Sequence, residues 1–377
     1  MSARKALVVG AGIGGLSAAI ALRGRGWDVT VAENKAENKT VGVGINHPAN
    51  ALRALRALGV YDEVLAKGNV YRGIRRYTQG GRLIAVWEPE NPPDVPFQVS
   101  MTRADLHDIL TTAAVTAGAR IELGRTWTRA DQLAAGVTVE FDDGEAATYD
   151  LVVGADGVRS LLRRHLFGDA HEPVYTGYVC WRMPARRPAD LTQGVYFNGN
   201  RVKATLINLN AEAMYLLVVQ KAEIGRHRDA AQLASELAAL IEPFPGLIAD
   251  IRKTIGPHSD IHRAPLEEVT LPAPWHRGRI VVIGDAAHAL TPHLAQGAAM
   301  AIEDAIVLAD ELGTAADIDK ALLRFADRRK PRVTFVQEQA HAILMNEMES
   351  DAEKKAAFAA ALGERQAQIT RVLASPA

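Results

Sequence analysis

The chain has little cysteine: Cys180 is the single one among 377 residues. One thiol cannot form an intrachain disulfide, and a zinc site built from several cysteines is excluded for the same reason. This usage fits a reducing compartment, so we expect the protein in the cytoplasm. Cys180 lies in the strand-like stretch Tyr178 to Met183, where inert core packing is the expected role of a thiol.

Long apolar runs and net charge are lacking as well. No stretch approaches the roughly 18 apolar residues of a membrane-spanning helix. The segment Arg4 to Leu22 superficially resembles a secretory signal, but its glycines interrupt the apolar run, and cleavage would remove the turn Gly10 to Gly15. The 43 basic and 44 acidic side chains give a formal net charge of -1. This balance offers no electrostatic attraction for nucleic acid or an anionic membrane, and we expect neither as a partner.

A glycine-rich turn near the start is the first informative motif. The residues Gly10-Ala-Gly12-Ile-Gly14-Gly15 follow the apolar strand Ala6 to Val9 and precede apolar residues with helical spacing. The first glycine permits a tight turn, the second lets a pyrophosphate approach the backbone, and the last allows close helix packing. The next strand ends at Glu33, whose carboxylate is suited to accept hydrogen bonds from a ribose. These residues predict a dinucleotide site, although such a turn alone also occurs in other α/β proteins.

A second motif, Gly154-Ala-Asp156-Gly-Val-Arg159-Ser160, also lies between an apolar strand and a predicted helix. Asp156 and Arg159 stand where a turn presents a carboxylate and a guanidinium to polar atoms of a cofactor. The pattern leaves a structural alternative open, because Asp-Gly is itself a favoured turn dipeptide.

A third motif surrounds Asp285. An apolar strand ends in Gly284-Asp285, a loop containing Pro292 follows, and a helix begins near Gly297. A carboxylate here is costly to bury without hydrogen-bond donors, and the ribityl hydroxyls of a flavin are suitable donors. The helix start aims its free amides beyond the loop, which favours negative charge there. The structural alternative for Asp285 is a helix cap or a turn residue.

Periodicity and turn residues predict the other elements. The segment Val41 to Pro48 is predicted as a flexible loop with polar side chains. Thr102 and Asp105 have the spacing of a capping box, which predicts a helix that runs to about Thr116. The remaining patterns predict helices at Ala49–Leu58 and Ala230–Ile241 and strands at Tyr71–Tyr77, Arg82–Trp87, Arg120–Leu123, Val137–Phe141, Leu151–Val153, Gly194–Asn198, Arg201–Asn208 and Met214–Val219.

The length of the chain exceeds the size at which one core keeps growing, so we expect two domains. Short β-like runs dominate from Val174 to Val219, and the α/β style returns at Arg279. We therefore predict an α/β fold with a discontinuous Rossmann-like nucleotide-binding domain, a second, sheet-based substrate domain and a C-terminal helical region. Their predicted ranges are 1–70, 100–170 and 270–345 for the first, 71–99 and 171–269 for the second, and 346–377 for the third.

Taken together, the three motifs resemble the signature of the FAD-dependent aromatic hydroxylases, the single-component flavoprotein monooxygenases of the para-hydroxybenzoate hydroxylase type. The resemblance spans almost the whole chain, in the family's order and spacing. The run Thr291 to Ala305 is most similar to the salicylate and 6-hydroxynicotinate hydroxylase subgroup. The resemblance implies an enzyme that binds FAD, consumes NAD(P)H and dioxygen, and hydroxylates a small electron-rich aromatic or N-heteroaromatic substrate through a flavin C4a-hydroperoxide. Asp156 belongs to the motif that the family links with both FAD and the nicotinamide nucleotide.

The resemblance also implies roles for individual residues. The pyrophosphate is expected at Gly12 and Gly15, and the adenosine ribose at Glu33. Asp285 is expected to bind the ribityl chain, and Arg103 the phosphate or ribityl region. The implied cofactor-binding residues are Gly12, Gly14, Gly15, Glu33, Lys35, Arg103, Asp156, Asp285, Gly297 and Ala298, the last two through their backbone at the isoalloxazine.

Two departures from the family pattern affect these assignments. Members often place arginine directly after the ribose-binding acid, where this chain has Asn34 and then Lys35, which substitutes only in part. In the 6-hydroxynicotinate enzymes a catalytic histidine precedes the first long helix; the matching position here is Asn46, with His47 one place later. A histidine with a near-neutral pKa is a suitable base for a ring hydroxyl. The candidate catalytic residues are therefore His47 and His293, and no metal is expected.

Other readings of the same residues stay open. His288 lies deeper in the third motif and is expected to be a hydrogen-bonded structural group. The flavin chemistry can also serve epoxidation or Baeyer-Villiger oxygenation of a larger metabolite, and a non-catalytic binding protein can keep this fold. A simple NAD-dependent dehydrogenase would leave two motifs unexplained. The long helical region after Ile318 is suited to pair protomers in a homodimer. Polar residues that alternate along predicted strands and are suited to face a substrate are Tyr196, Asn198, Lys203, Thr205 and Asn208.

Overall fold

The computed structural model describes residues 3–37, 42–199, 202–225, 228–315, 317–347, 349 and 351–377. Its strands are β1 (Lys5–Val9), β2 (Asp28–Glu33), β3 (Gly44–Pro48), β4 (Asn69–Val70), β5 (Ile74–Thr78), β6 (Leu83–Trp87), β7 (Gln98–Thr102), β8 (Arg120–Leu123), β9 (Trp127–Leu133), β10 (Gly136–Phe141), β11 (Ala146–Tyr149), β12 (Leu151–Gly154), β13 (Val174–Arg186), β14 (Gly194–Asn198), β15 (Val202–Asn208), β16 (Ala213–Lys221), β17 (His262–Glu268), β18 (His276–Arg277) and β19 (Ile280–Val282). Its helices are α1 (Ile13–Arg23), α2 (Ala49–Ala57), α3 (Tyr61–Lys67), α4 (Arg103–Thr116), α5 (Leu161–Phe167), α6 (Ala230–Leu240), α7 (Leu247–Thr254), α8 (Asp285–His288), α9 (Gly297–Thr314), α10 (Ile318–Glu347) and α11 (Ala352–Ala374).

A largely parallel sheet organises the first part of the fold. Its strand order is β18-β19-β12-β1-β2-β8, and every pair from β19 to β8 is parallel. The central strands are apolar along their length because they are buried on both faces. Helix α1 packs against α9, and a methyl group added at Gly14 would lie 3.3 Å from Cβ of Ala301. The predicted Rossmann-like α/β fold is thus confirmed.

A second, seven-stranded sheet has the order β17-β13-β16-β15-β14-β5-β6. Alternate residues along its strands point to opposite faces. One face is apolar and packs on α6 and α7, which places Val195, Phe197 and Leu206 in a core with Leu237 and Ile248. On the opposite face, Cys180, Leu217 and Val219 belong to a second apolar cluster, and the neighbouring strands contribute polar side chains such as Lys203 and Thr205. The two sheets agree with a nucleotide part and a sheet-based part, while the domain boundaries given above stay predictions.

The segment before α2 differs from its prediction as a flexible loop. Its described part forms β3, which pairs antiparallel with β7, and β4 completes a three-stranded sheet. Glycine and proline in the sequence favoured a loop, but β7 supplies backbone partners and the apolar face of β3 is buried. His47 lies on that buried face, opposite Val99. Val41, where the predicted loop began, lies outside the described residues.

Two long helices, α10 and α11, end the chain, as the sequence predicted. Arg332 of α10 donates hydrogen bonds to the carbonyl oxygens of Val372 (2.5 Å) and Ser375 (3.1 Å), which fixes the end of α11. Among the helices that the structure describes, none combines the length and the apolar character needed to cross a bilayer.

Candidate active site

The three sequence motifs meet at one edge of the parallel sheet. They follow β1, β12 and β19, which are neighbours with the same direction, so their carboxyl ends lie side by side. Ala155 donates its amide to the carbonyl of Val9 at 2.8 Å, and Ile283 donates to Gly154 at 2.9 Å. The carboxyl edge of an open α/β sheet, where the strand order reverses, is the usual place of a bound ligand.

The glycines of the first motif have distinct geometric roles. Gly10 has a φ of 102°, which side chains rarely adopt, and a Cβ there would approach the carbonyl oxygen of Ala155 to 2.6 Å. A Cβ at Gly15 would lie 1.9 Å from the carbonyl oxygen of Gly10, so the turn and α1 touch directly. Gly12, at the N-terminal cap of α1, faces open space instead. The N-terminus of α1 is therefore accessible to an anionic group.

Glu33 is tied to the same turn. Its Oε2 accepts the amide of Ala11 at 2.8 Å, and its Oε1 accepts the amide of Lys35 at 3.1 Å. These bonds hold the carboxylate at the carboxyl end of β2, and each oxygen keeps a lone pair for a further donor. The side chain of Lys35 is exposed beside it.

Arg103 and Asp285 face each other across the edge of the sheet. Thr102 caps α4 by accepting the amide of Asp105 at 2.9 Å, as its spacing predicted, and this places Arg103 in the first turn. Burial and the nearby Arg182 lower the pKa of Arg103, while Asp285 raises it. Within the described part of the chain, Nε of Arg103 is buried without a hydrogen-bond partner. Asp285 itself is exposed.

The carboxylate of Asp156 is engaged within its own turn. It accepts a hydrogen bond from the hydroxyl of Ser160, the N-cap of α5, and from the first two amides of that helix, Leu161 (2.8 Å) and Leu162 (3.1 Å). Burial raises its pKa and these bonds oppose the change. Arg159 pairs with Glu267 at 2.9 Å. The structural alternative for this motif thus accounts for the bonds seen here, and a cofactor role for Asp156 stays a prediction.

A buried polar network that the sequence reading missed supports the third motif. Asp304 accepts the amide of Gly284 at 2.9 Å, Nε2 of His288 at 2.6 Å and Nε of Arg329 at 2.7 Å. Arg329 also contacts Glu303 at 2.7 Å, and Arg332 contacts the same carboxylate at 2.8 Å. His288 is thus structural, as expected. The available signal was the pair Glu303-Asp304 inside the apolar first half of α9.

The start of α9 is held by a reciprocal amide pair. Asn50 donates to Gln296 at 2.9 Å and Gln296 donates back at 3.0 Å, while Asn50 also donates to Glu303 at 2.8 Å. No side chain of the described chain caps α9, so the amides near Gly297 and Ala298 face outward from its N-terminus. A Cβ at Gly297 would lie 4.0 Å from Oδ1 of Asp285. The helix start and the Asp285 carboxylate therefore border one space.

These observations fit an elongated cofactor with a pyrophosphate and a polyhydroxylated chain. The open N-terminus of α1 suits the pyrophosphate, and Glu33 lies at the ribose end. The unpartnered Nε of Arg103 and the exposed Asp285 provide one donor and one acceptor between the two helix starts. The N-terminus of α9 suits a ring that gains negative charge on reduction. The residues present therefore fit FAD.

A cavity of about 1510 Å³ adjoins the loop before α9. Its floor is the face of the seven-stranded sheet that points away from α6 and α7, where the strand register places Thr205, Tyr196, Arg76 and Ala85 in one row across four strands. The loop residues Pro292 to Gln296 form one wall. One stripe of α11 forms the roof, and its cavity-lining residues are Phe358, Leu362, Gln366, Ile369 and Leu373.

Four polar side chains meet at the loop side of this cavity. Glu347, at the end of α10, binds Nζ of Lys203 through both oxygens at 2.8 Å and accepts the hydroxyl of Tyr196 at 3.2 Å. Nε2 of His293 lies 3.4 Å from Glu347, close enough for charge interaction but not aligned for a hydrogen bond. The side chain of His293 is only 1% exposed. Burial and Lys203 lower its pKa to about 4 although Glu347 raises it, so its ring is neutral at pH 7.

The structure separates the two histidine candidates. His47 is fully buried on the core face of β3, and burial together with Arg103 lowers its pKa to about 4. Asn46, one residue earlier, lines the cavity instead because successive residues of a strand point to opposite faces. The structure therefore brings His293, and not His47, to the cavity.

Several polar atoms in the cavity wall have no hydrogen-bond partner among the described residues. Within the described residues, Oδ1 of Asn46, Oγ1 of Thr205, Oδ1 of Asn208 and both ring nitrogens of His293 are buried without a hydrogen bond. Such groups cost free energy unless a ligand or water satisfies them. Asn46, Thr205 and His293 line the same cavity, which indicates a binding site for the polar part of a small molecule.

Comparison with known proteins agrees with this geometry. The family model described as "FAD binding domain" matches residues 4–340. The chain is 32% identical to the 2-heptyl-3-hydroxy-4(1H)-quinolone synthase of Pseudomonas aeruginosa, over 89% of this chain and 87% of that protein. It is 30% identical to the 6-hydroxynicotinate 3-monooxygenase of Bordetella bronchiseptica, over 89% and 90% respectively. The crystal structure of HpxO from Klebsiella pneumoniae complexed with FAD and uric acid superposes with a TM-score of 0.87 at 26% identity, covering 99% of this chain and 97% of that one.

Proposed function

This chain belongs to the FAD binding domain family and is a flavin-dependent monooxygenase, and on that premise we propose that it uses NAD(P)H and dioxygen to hydroxylate a small electron-rich aromatic or N-heteroaromatic ring. The observation that carries the proposal is the group of Tyr196, Lys203 and His293, which lies beside the loop that precedes α9. One relative named for a pyridine substrate and one named for a quinolone product support an N-heteroaromatic ring. The expected location is the cytoplasm, and a homodimer is the expected assembly.

The side chains of the cavity have complementary tasks in this proposal. Bound FAD, once reduced, supplies the transfer of one oxygen atom from dioxygen to the ring. His293 accepts the proton of a ring hydroxyl at one of its free nitrogens, which raises the electron density of the ring. Tyr196 keeps its proton, because burial and Glu347 raise its pKa well above 10, and its hydroxyl donates a hydrogen bond to Glu347. Asn46 orients a heteroatom of the substrate through its free amide oxygen.

Water must be kept from the reacting atoms for the oxygen transfer to be productive. The apolar stripe of α11 covers the cavity from above, and the sheet closes it from below. The carbonyl bonds from Arg332 hold the end of α11 in that position. Lys203 is paired with Glu347, so its charge is compensated within the cavity wall. These features favour coupling of cofactor oxidation to hydroxylation.

A substrate screen tests the proposal. The protein is purified with FAD, and salicylate, 6-hydroxynicotinate and related hydroxylated rings are tested for stimulation of NADH and NADPH oxidation. The expected result is stimulated oxidation together with a product whose mass has gained one oxygen atom. Protein that takes up no FAD, or oxidation that yields only hydrogen peroxide with every ring, would contradict the proposal.

Replacing Asp285 with alanine tests the cofactor assignment. We expect FAD to bind roughly 10- to 100-fold more weakly, because hydrogen bonds to a charged group contribute about 1.5–3 kcal/mol. Flavin content after dialysis and the Kd from fluorescence quenching measure the change. Asp310→Ala is the control, since Asp310 pairs with Arg25 on the surface. An unchanged FAD affinity of the Asp285 variant would remove Asp285 from the site.

A further inference from the structure

The cavity is much larger than an aromatic ring requires. Its volume is about 1510 Å³, whereas roughly 150 Å³ is enough to enclose a benzene ring. A ring held by His293, Lys203 and Tyr196 leaves most of this volume free, even when the edge of a flavin enters beside the loop. The free part extends over β5 and β6, toward the edge of the sheet.

Three aromatic rings line that far part of the cavity. The centroid of Trp87 lies 5.3 Å from that of Phe97 and 6.2 Å from that of Tyr71, and Tyr71 and Phe97 are also 6.2 Å apart. We call these three residues the aromatic end. The roof above the cavity floor contributes Leu362 and Leu373. The cavity therefore has a polar end at His293 and an aromatic cluster, bordered by Arg72 and Arg76, at the edge of the sheet.

The strand order gives the distance between the two ends. Lys203 is on β15, and β14 and β5 separate that strand from β6, which carries Trp87. Neighbouring strands lie about 4.8 Å apart, so three steps correspond to roughly 14 Å across the strands, and the register adds an offset of four residues along them. One ring cannot contact both ends. A ring with a long substituent can.

The aromatic end is fixed in place by the loop between β6 and β7. Asp94 accepts two hydrogen bonds of 2.8 Å from Arg53, and Asn91 accepts the amide of Phe97 at 2.9 Å. Trp87 nevertheless remains 46% exposed. A rigid, half-exposed aromatic surface inside a cavity gains free energy when a ligand covers its apolar area.

We infer that the substrate carries a hydrocarbon chain on its ring and that this chain binds along the sheet to Tyr71, Trp87 and Phe97. The inference rests on the proposed hydroxylation of a ring held near His293. It adds a second recognition element, so that chain length contributes to the affinity for the substrate. Arg72 and Arg76 also border this region. Their positive charge would favour a chain that ends in a carboxylate, so such a chain is the ligand to compare with a plain hydrocarbon chain.

Calorimetry on the oxidised, FAD-loaded protein without NAD(P)H tests the chain-binding site apart from turnover. The probes are 2-hydroxypyridines that carry a methyl, butyl or heptyl group at carbon 5, with a fourth probe whose heptyl chain ends in a carboxylate. We expect the Kd to fall roughly fourfold for each methylene that the cavity covers. The heat capacity change should become more negative with chain length, because more apolar surface is buried.

Two neighbouring variants locate the effect. Trp87→Ala should weaken binding of the heptyl probe roughly tenfold and leave the Kd of the methyl probe unchanged. Val86→Ala is the matched control: it lies on the same strand, is 50% exposed and points to the opposite face of the sheet. We expect it to bind both probes as the parent protein does. The FAD content of both variants confirms that they fold.

The outcomes separate this inference from the proposed function. If the methyl probe stimulates hydroxylation but the heptyl probe binds no more tightly, the chain-binding site is wrong and the proposed function stands. The chain-binding site is also wrong if the carboxylate-ended probe binds more tightly than the heptyl probe. It is wrong as well if Trp87→Ala leaves the dependence of the Kd on chain length unchanged. If no hydroxylated ring binds or is converted, the proposed function fails and the inference fails with it.

Discussion

Replacing His293 with asparagine is expected to lower the rate of hydroxylation by roughly 100- to 10,000-fold, the usual effect of losing a general base. Asparagine keeps a polar group in the cavity wall but cannot accept the proton of a ring hydroxyl at neutral pH. FAD binding should stay unchanged, because His293 lies with Lys203 and Glu347 on the cavity side of the loop. Turnover with mass detection of the product, together with flavin content, measures both quantities.

The pH dependence of the reaction gives an independent check on His293. Burial and Lys203 lower the pKa of this residue to about 4. The sequence-based expectation of a near-neutral pKa is not met, so His293 is a weaker base than expected. It is nevertheless deprotonated at neutral pH, and it loses the form that accepts a proton as the pH falls through about 4. Protonation of His293 should therefore leave the hydroxylation rate of the parent protein unchanged between neutral pH and about pH 5. The asparagine variant should lack this acidic limb.

His47→Asn is the matched control, because His47 is also buried and its pKa is also lowered to about 4. It lies on the core face of β3, so we expect hydroxylation by a folded His47 variant within a few-fold of the parent rate. The reverse result, a large loss with His47→Asn and none with His293→Asn, would exchange their roles and overturn the proton-transfer assignment made above.

Replacing Arg329 with alanine is expected to lower the free energy of unfolding by about 3–5 kcal/mol, the cost of leaving a buried charge without its partner. Arg329 is completely buried and contacts both Glu303 and Asp304. Its loss leaves two buried carboxylates with fewer hydrogen-bond donors. One of them, Asp304, accepts the amide of Gly284 in the turn before Asp285. Urea unfolding with FAD in excess measures the change, and the variant should also retain less flavin.

Arg328→Ala is a control from the adjacent position. Arg328 pairs with Glu311 at 2.7 Å but is 40% exposed, and exposed ion pairs contribute about 0–1 kcal/mol. We expect its loss to stay below about 1 kcal/mol. Equal losses for the two variants would mean that the buried network has no special importance for stability.

The same network has a pH dependence whose sign follows from Asp304. Burial raises the pKa of this carboxyl, but His288 and Arg329 outweigh burial and lower it to about 2. A carboxyl with a lowered pKa stabilises the folded state above its unfolded pKa of about 3.9. That contribution is lost as the pH falls from about 4 through 2.

The sequence predicted those parts of the site whose geometry is local. The turn Gly10 to Gly15 and the cap at Thr102 depend on residues a few positions apart, and their spacing alone indicates the structure. The three motifs meet because each follows a strand of one parallel sheet, which the alternation of strands and helices already indicated. The alternation of Tyr196, Lys203 and Thr205 toward one face likewise follows from strand periodicity.

The parts that were missed depend on contacts between distant segments. Arg329 reaches Asp304 across 25 positions, and Glu347 reaches Lys203 across 144, so only helix packing reveals these pairs. The segment before α2 was read as a loop because β3 gains its hydrogen bonds from β7, far along the chain. The direction of His47 depended on that unrecognised strand. In a strand, the shift of one residue from Asn46 to His47 moves the side chain to the opposite face. In a loop, the same shift would not determine the direction of the side chain.

Strand β6 also matters for how the protein behaves in the laboratory. It is the edge of the seven-stranded sheet, and Leu83, Ile84, Val86 and Trp87 are all about half exposed. An open, apolar edge strand is a template for pairing with another chain. Concentrated stocks should therefore precipitate through this strand first, and lysine at Ile84, which does not line the cavity, is the substitution for improving solubility during purification.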